Sequence, residues 1–184
     1  MKIALGCDHG GYAMKEDIKK QLESLGHEVK DCGTYSTESC DYPIFGEAAA
    51  RAVASGECEY GIVVCTTGIG ISIAANKVKG IRCAHCADTL EAQLCRQHNN
   101  ANMMAIGAGF TGPKLAAAMV ETFLSTAFDN GKKIERNEGL YRLSRAQARQ
   151  RCAGRGAGGH FAAGVRLFVC AALYGIRCGW LGPL

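Results

Sequence analysis

The chain has 184 residues, of which 48% are hydrophobic and 21% charged, and this composition excludes a disordered or fibrous protein. No apolar run reaches the ~20 residues of a membrane-spanning helix, and no secretory signal precedes the first strand-like run. We therefore expect a cytoplasmic protein without a membrane partner. The net charge of +4 comes from residues 141–184, so it does not indicate nucleic-acid binding by the rest of the chain.

A change in composition near residue 140 predicts two regions. Residues 1–140 hold 14 basic and 17 acidic side chains, whereas residues 141–184 hold seven arginines and no acid. The second region has no clear helix or strand period, so we expect a poorly ordered extension of a single domain formed by residues 1–140. Deleting it is expected to leave the fold and the activity intact.

Eleven cysteines are an unusual number for this length. Cys83 and Cys86 form one C-x-x-C, but no second pair follows at a spacing typical of structural zinc. Most of the cysteines lie in apolar runs, so we expect buried free thiols, a reducing compartment and no metal site.

Apolar runs alternate with amphipathic segments along residues 1–127. The predicted strands are residues 2–7, 27–31, 62–64, 81–86 and 103–106. The predicted helices are residues 12–25, 44–54, a third beginning near Ile71, 90–98 and 114–127, with Lys15, Lys19 and Lys20 of the first facing outward. This alternation predicts an α/β fold, a three-layer α/β/α sandwich around a five-stranded parallel, Rossmann-like sheet.

The stretch from residue 61 to residue 76, GIVVCTTGIGISIAAN, is the strongest functional signal. It predicts a buried strand, a Gly/Thr turn and a helix N-terminus, where free backbone amides and the helix dipole attract an anion. Cys65 falls at the carboxyl end of that strand, where a helix N-terminus stabilises a thiolate. The alternative interpretation is a small core residue, which is what we expect for most of the other cysteines.

Further candidates follow other elements of the predicted sheet. Asp8 and His9 end the first strand and are expected to lie near Cys65, because parallel strands present their carboxyl ends at one edge. His98 ends a helix among three asparagines, which indicates either a dipole-stabilised histidine or a polar site. Lys132 and Arg136, together with Lys133, form a basic cluster that is either a solvated face or a phosphate clamp.

Several motifs together resemble one enzyme family. They are residues 6–11 (GCDHGG), residues 41–43 (DYP), the turn and helix of residues 65–76, and residues 96–99 (RQHN) with Asn102. Over about residues 1–137 the chain resembles the ribose-5-phosphate isomerase B family, which includes galactose-6-phosphate and allose-6-phosphate isomerases. The resemblance implies a homodimer, possibly pairing into a tetramer, with sites between subunits and with neither metal nor cofactor.

The resemblance also implies roles for individual residues. Cys65 resembles the base that moves a proton between C1 and C2 of a sugar phosphate, and the expected reaction converts ribose 5-phosphate to ribulose 5-phosphate through a cis-enediolate. His98, helped by Asp8, resembles the group that opens the furanose ring. The enediolate oxygen would lie against the amides of Thr67, Gly68, Ile69 and Gly70. Substrate contacts would come from Tyr42 and Asn99, and contacts to the phosphate end from His9 and Arg136, with Lys132 as the further candidate that the basic cluster supplies.

The chain departs from the family pattern at a few positions. Thr66 stands where the family usually has glycine, Lys132 and Lys133 replace an Arg-His pair, and Gly109 replaces a frequent arginine after the fifth strand. These changes leave allose 6-phosphate and galactose 6-phosphate open as substrates. A non-catalytic module that binds a sugar phosphate or a nucleotide is the alternative from another class, and a thiol redox protein is disfavoured because no C-x-x-C begins a helix.

Overall fold

Five parallel strands form a single sheet in the computed structural model, which describes residues 1–129. The strands are β1 (Lys2–Cys7), β2 (Glu28–Asp31), β3 (Tyr60–Cys65), β4 (Cys83–His85) and β5 (Met103–Gly107). The helices are α1 (Tyr12–Ser24), α2 (Tyr42–Ala54), α3 (Ile69–Asn76), α4 (Thr89–Asn99) and α5 (Pro113–Ser125). The strand order is β2-β1-β3-β5-β4, so the predicted α/β fold is confirmed.

The helices cover both faces of this sheet. Helices α1, α4 and α5 pack on one face, against side chains such as Ile3 and Leu5 of β1, and helices α2 and α3 pack on the other, against Ala4. Successive residues of a strand point to opposite faces, and strands covered on both faces are apolar throughout. This explains why the central strands β1, β3 and β5 have apolar residues at every position after their first.

The strand connections diverge at the carboxyl ends of β1 and β3, and we call the space outside these strand ends the crevice. These strands are neighbours, with Cys7 level with Val64, and β3 is in turn paired with β5. The chain leaves β1 toward β2 on one side and leaves β3 toward β4 at the far edge. In open α/β sheets, the point where connections diverge in this way is where ligands bind.

Some element boundaries differ from the predicted ones. Helix α2 begins at Tyr42, two residues before the prediction, because Pro43 is favourable in the first turn of a helix. Strand β4 is shorter than predicted. Its outer backbone is occupied by the Asn76 side chain, which accepts from Cys83 N at 3.0 Å and donates to Cys83 O at 2.7 Å. An edge strand satisfied in this way has fewer open hydrogen-bonding groups.

The prediction that Lys15 faces outward is wrong. Its side chain is fully buried, and its Nζ contacts both carboxylate oxygens of Asp31, at 2.8 and 3.1 Å, and donates to Thr34 O at 3.0 Å. The periodicity of α1 places a lysine at this position, but only the sheet brings the carboxylate of Asp31 opposite it. Lys15 thereby fixes the start of the loop from residue 32 to residue 41, which leads to Tyr42.

The described residues contain no helix that is long and apolar enough to cross a membrane. All eight cysteines within residues 1–129 are free thiols, and six of them are buried, in agreement with the prediction for this part of the chain. The predicted boundary at residue 140 and the extension from 141 to 184 lie outside the described residues.

Candidate active site

Cys65 lies at the base of the crevice, at the end of β3, and is 4% exposed. Its Sγ accepts a hydrogen bond from Gly68 N at 3.1 Å. Gly68 precedes the first residue of α3 and adopts a left-handed conformation with φ of 74°, which aims its amide back at the sulfur. A backbone amide at a helix N-terminus favours the charged form of a thiol, so this geometry suits a thiolate.

The turn between β3 and α3 retains backbone donors. The Ile69 amide is already engaged by Thr67 Oγ1 at 3.2 Å, and the Gly68 amide is engaged by Cys65. The amides of Thr67 and Gly70 have no hydrogen-bond partner within residues 1–129. These two N–H groups are therefore the ones of the predicted set that can receive an anionic oxygen.

Tyr42 lies directly against this turn. A methyl group placed on Gly70 would come within 2.7 Å of Cζ and 3.0 Å of Oη of Tyr42, so only glycine allows the ring to approach so closely. The ring is 39% exposed and forms one wall of the crevice. The structure thus brings Tyr42 together with the Cys65 turn, although the two are far apart in sequence.

Asp8 and His9 lie beside the same turn, at the end of β1. The Asp8 amide donates to Val64 O at 3.2 Å, and its buried carboxylate accepts from Gly11 N at 3.0 Å, which caps the short turn of His9–Gly11. His9 Nδ1 accepts from Cys40 N at 3.2 Å. Because Nδ1 is an acceptor, the neutral His9 ring carries its proton on Nε2 and presents a donor there.

Two glycines accommodate the side chain of Thr66. A methyl group on Gly10 would lie 2.2 Å from Thr66 Oγ1, and one on Gly109 would lie 3.3 Å from Thr66 Cγ2. The Gly109 amide also donates to Thr66 O at 2.9 Å. Gly109 therefore packs directly against Thr66, so the two positions expected to depart from the family pattern lie side by side.

His98 and Asn99 do not join these residues. They are the last two residues of α4, which begins just after β4 at the carboxyl ends of the strands. The 11 residues of this helix span about 16 Å and bring the chain back to the amino ends of the strands. There Asn99 O accepts from Arg82 Nε, at the start of β4. Both His98 and Asn99 are exposed. Within one chain they lie at the opposite edge of the sheet from Cys65.

One polar side chain at this site, His85, was not among the residues predicted from the sequence. It is the last residue of β4, and its Nε2 lies 3.0 Å from Thr67 O. Its position at a strand's carboxyl end, on the same edge as Cys65, is the signal that could have identified it. Lys132 and Arg136 lie outside the described residues, and within residues 1–129 no group of three or more His, Cys, Asp or Glu side chains is placed to hold a metal ion.

We predict that Gly68→Ala disrupts the site more than an alanine at another left-handed glycine. The left-handed backbone conformation of Gly68 disfavours any side chain. There is also no room for one, since a methyl group would lie 2.6 Å from the His85 ring and 2.8 Å from Gly107 N. Gly56→Ala is the matched control, because Gly56 has φ of 81° with nothing within 4 Å. Strain alone costs about 1–2 kcal/mol. Chemical unfolding should show a larger loss for Gly68→Ala than for the control, and equal losses would contradict the packing described here.

Comparison with known proteins identifies the family. The model of the family described as Ribose/Galactose Isomerase matches residues 3–140. Ribose-5-phosphate isomerase B of Escherichia coli strain K12 is 45% identical over 139 residues, which cover 76% of this chain and 93% of that protein. The galactose-6-phosphate isomerase subunit LacB of Clostridium acetobutylicum is 44% identical over 133 residues, 72% of this chain and 77% of that subunit.

The fold agrees with these relatives. The solved structure of Clostridium thermocellum ribose-5-phosphate isomerase B superposes with a TM-score of 0.76 at 47% identity, covering 80% of this chain and 99% of that one. The match therefore extends over nearly the whole of the relative. The resemblance inferred from the motifs is confirmed: the chain belongs to the ribose-5-phosphate isomerase B and galactose-6-phosphate isomerase family of sugar-phosphate isomerases.

Proposed function

We propose that this chain converts ribose 5-phosphate to ribulose 5-phosphate through a cis-enediolate, with Cys65 as the base. The observation that carries the proposal is the hydrogen bond from Gly68 N to Cys65 Sγ at 3.1 Å, at the start of α3. A binding protein has no need of a thiol held in this way. An aldose–ketose isomerase, as the family implies, needs one base beside a C–H bond and donors for the oxygen that becomes negative.

The reaction uses the turn in two ways. The Cys65 thiolate takes the proton from C2 of the open-chain aldose, the electrons of that C–H bond form a double bond to C1, and the C1 oxygen becomes an oxyanion. The amides of Thr67 and Gly70, which have no partner among the described residues, are proposed to receive this oxyanion. The O2 proton then passes to O1, so that O1 becomes a hydroxyl as the new carbonyl forms at C2, and the Cys65 thiol returns its proton to C1 and becomes a thiolate again.

The rest of the crevice is proposed to hold the substrate. Tyr42, which lies against Gly70, is proposed to contact the sugar, and His9 is proposed to donate from Nε2 to the phosphate end. Lys132 and Arg136 are proposed to supply the positive charge there, because Gly109 provides none. A lysine neutralises a phosphate as a point charge, without the paired hydrogen bonds of an arginine.

Ring opening is assigned to His98 of a second copy of the chain. The helix α4 places His98 and Asn99 at the far edge of the sheet from Cys65, so one chain cannot present both to one sugar. A dimer in which the amino edge of one sheet meets the crevice of the other would complete each site. Asp8 is proposed to assist His98 across this interface, and Asn99 to contact the substrate.

A subunit mixing experiment tests this arrangement. Cys65→Ala and His98→Asn should each lose most of the activity, since removal of a general acid or base typically costs 10²–10⁴-fold. Dissociating and recombining equal amounts should restore about a quarter of wild-type turnover, because half of the dimers are mixed and each has one intact site.

The control mixes Cys65→Ala with the double variant Cys65→Ala/His98→Asn. In that mixture no site contains Cys65, so no recovery is expected. Absence of recovery in the first mixture, with subunit exchange verified by differently tagged chains, would contradict a site shared between copies.

The substrate is tested by an isomerisation assay with ribose 5-phosphate, allose 6-phosphate and galactose 6-phosphate. The highest kcat/KM is expected with ribose 5-phosphate. A higher kcat/KM with either hexose phosphate would show that ribose 5-phosphate is not the preferred substrate, but would leave the proposed aldose–ketose isomerisation unchanged. Binding of a sugar phosphate without turnover of any of the three would instead support the non-catalytic alternative.

A further inference from the structure

His85 is connected to Cys65 through one peptide group. His85 Nε2 lies 3.0 Å from Thr67 O, and a carbonyl oxygen can only accept, so Nε2 carries the proton in this bond. Thr67 O and Gly68 N belong to the same peptide unit. In a planar trans peptide the carbonyl and the N–H point in opposite directions, so His85 lies on one side of this unit and Cys65 on the other.

The three groups form a continuous line of hydrogen bonds, from the His85 imidazole to the Thr67–Gly68 peptide and from that peptide to Cys65 Sγ. A donor at a peptide oxygen polarises the peptide and strengthens its N–H as a donor. The same bond fixes the plane of the peptide, and therefore the direction of the Gly68 amide. Both effects favour negative charge on Cys65.

The packing of the His85 ring supports a defined position for it, although the residue is exposed. A methyl group on Gly68 would lie 2.6 Å from Cδ2 and 2.9 Å from Nε2 of His85, so the ring rests on the bare backbone of this glycine. The left-handed φ of Gly68 turns its backbone toward the ring. The imidazole thus lies against the Gly68 backbone at the position where Nε2 reaches Thr67 O.

We propose that His85 is a positioning residue that stabilises the Cys65 thiolate through the Thr67–Gly68 peptide. Its importance for turnover rests on the proposed function, in which Cys65 is the base. The effect on the thiol itself does not depend on that function, which allows the two to be tested separately.

The test measures the alkylation of Cys65 by iodoacetamide as a function of pH in the full-length protein. The peptide that contains Cys65 is quantified by mass spectrometry, because the chain has eleven cysteines. In His85→Leu the midpoint of the pH profile should move upward by about half a pH unit. At pH values below the midpoint, the fraction of Cys65 present as thiolate should then be about threefold lower than in the wild type. Turnover at such a pH should fall by a similar factor with little change in KM.

Two further variants make the result specific. His85→Gln retains a nitrogen donor at a similar reach, so it should move the midpoint back toward that of the wild type. His27→Leu removes a histidine just before β2, the outer strand on the opposite side of the sheet from β4, and should leave the midpoint unchanged. If His85→Leu fails to fold, His85→Ala removes the same donor and tests the same point.

An unchanged midpoint in a folded His85→Leu or His85→Ala protein would overturn the proposal, as would a midpoint shift of equal size in His85→Gln. A lower melting temperature without a shift would show that His85 is only structural, and would overturn it too. A midpoint shift in a protein that isomerises no sugar phosphate would support the role of His85 and would refute the proposed function alone.

Discussion

Replacing Cys65 by alanine should lower turnover of ribose 5-phosphate by about 10²–10⁴-fold while the affinity for the sugar phosphate changes little. The side chain is at the base of the crevice, and its Sγ is held by Gly68 N at 3.1 Å. No other described thiol combines the end of a strand, a helix N-terminus and an amide donor in this way. The measurement compares kcat with the dissociation constant of a non-reactive sugar phosphate.

Cys58→Ala is the matched control for this variant. Cys58 is also buried, at 2% exposure, but it precedes β3 and lies at the opposite edge of the sheet. Its removal should leave turnover unchanged and lower stability slightly. If Cys65→Ala kept more than about a tenth of wild-type turnover, or if both variants lost turnover equally, Cys65 would not be the base.

Replacing Lys15 by methionine should lower the free energy of unfolding by about 3–5 kcal/mol, the usual cost of removing one partner of a buried ion pair. Lys15 is fully buried, and the Asp31 side chain that it contacts is only 10% exposed. Without the ammonium, the Asp31 carboxylate and Thr34 O lose a donor in a site that water enters poorly. Urea unfolding of the full-length protein measures this loss.

Lys19→Met is the control, because Lys19 Nζ also contacts Asp31, at 3.2 Å, but its side chain is 32% exposed. Exposed pairs contribute about 0–1 kcal/mol, so the control should lose much less stability. Similar losses in the two variants would contradict the importance of burial at Lys15.

The pair also predicts how stability depends on pH. Burial by itself raises the pKa of Asp31, but hydrogen bonds from Lys15, from Gly33 N and from Lys19 outweigh it and hold the pKa below 3.8. A carboxyl group whose pKa is lowered by folding stabilises the protein above its unfolded pKa, and this contribution is lost as the pH falls through the folded value. The stability advantage of the wild type over Lys15→Met should therefore shrink below about pH 4.

Sequence patterns were sufficient to predict the fold and the part of the site formed by residues that directly follow β1 and β3. The apolar runs of β1 and β3 and the Gly/Thr turn after Cys65 are local signals, and parallel strands bring the residues that follow them to one edge. For this reason Asp8, His9 and Cys65 could be expected to lie together. The burial of Lys15 could not be predicted, since helical spacing alone does not show that Asp31 will lie opposite.

The remaining differences arise from tertiary geometry. His98 was identified from its motif, but its distance from Cys65 follows from the direction of α4, which carries it to the other edge of the sheet. His85 was missed because an isolated histidine in a short edge strand has no distinctive spacing. The role proposed for it depends on the strand order, which places β4 beside β5, and on the contact of its ring with the bare backbone of Gly68.

Proton transfer by Cys65 is tested most directly by incubating the full-length protein with ribose 5-phosphate in deuterated water and following the sugar by NMR. We expect that ribulose 5-phosphate forms, that deuterium enters C1 of this product and C2 of the recovered ribose 5-phosphate, and that Cys65→Ala shows neither change above background. Isomerisation with the same deuterium incorporation in Cys65→Ala, or no turnover of any of the three sugar phosphates by the wild type, would contradict it.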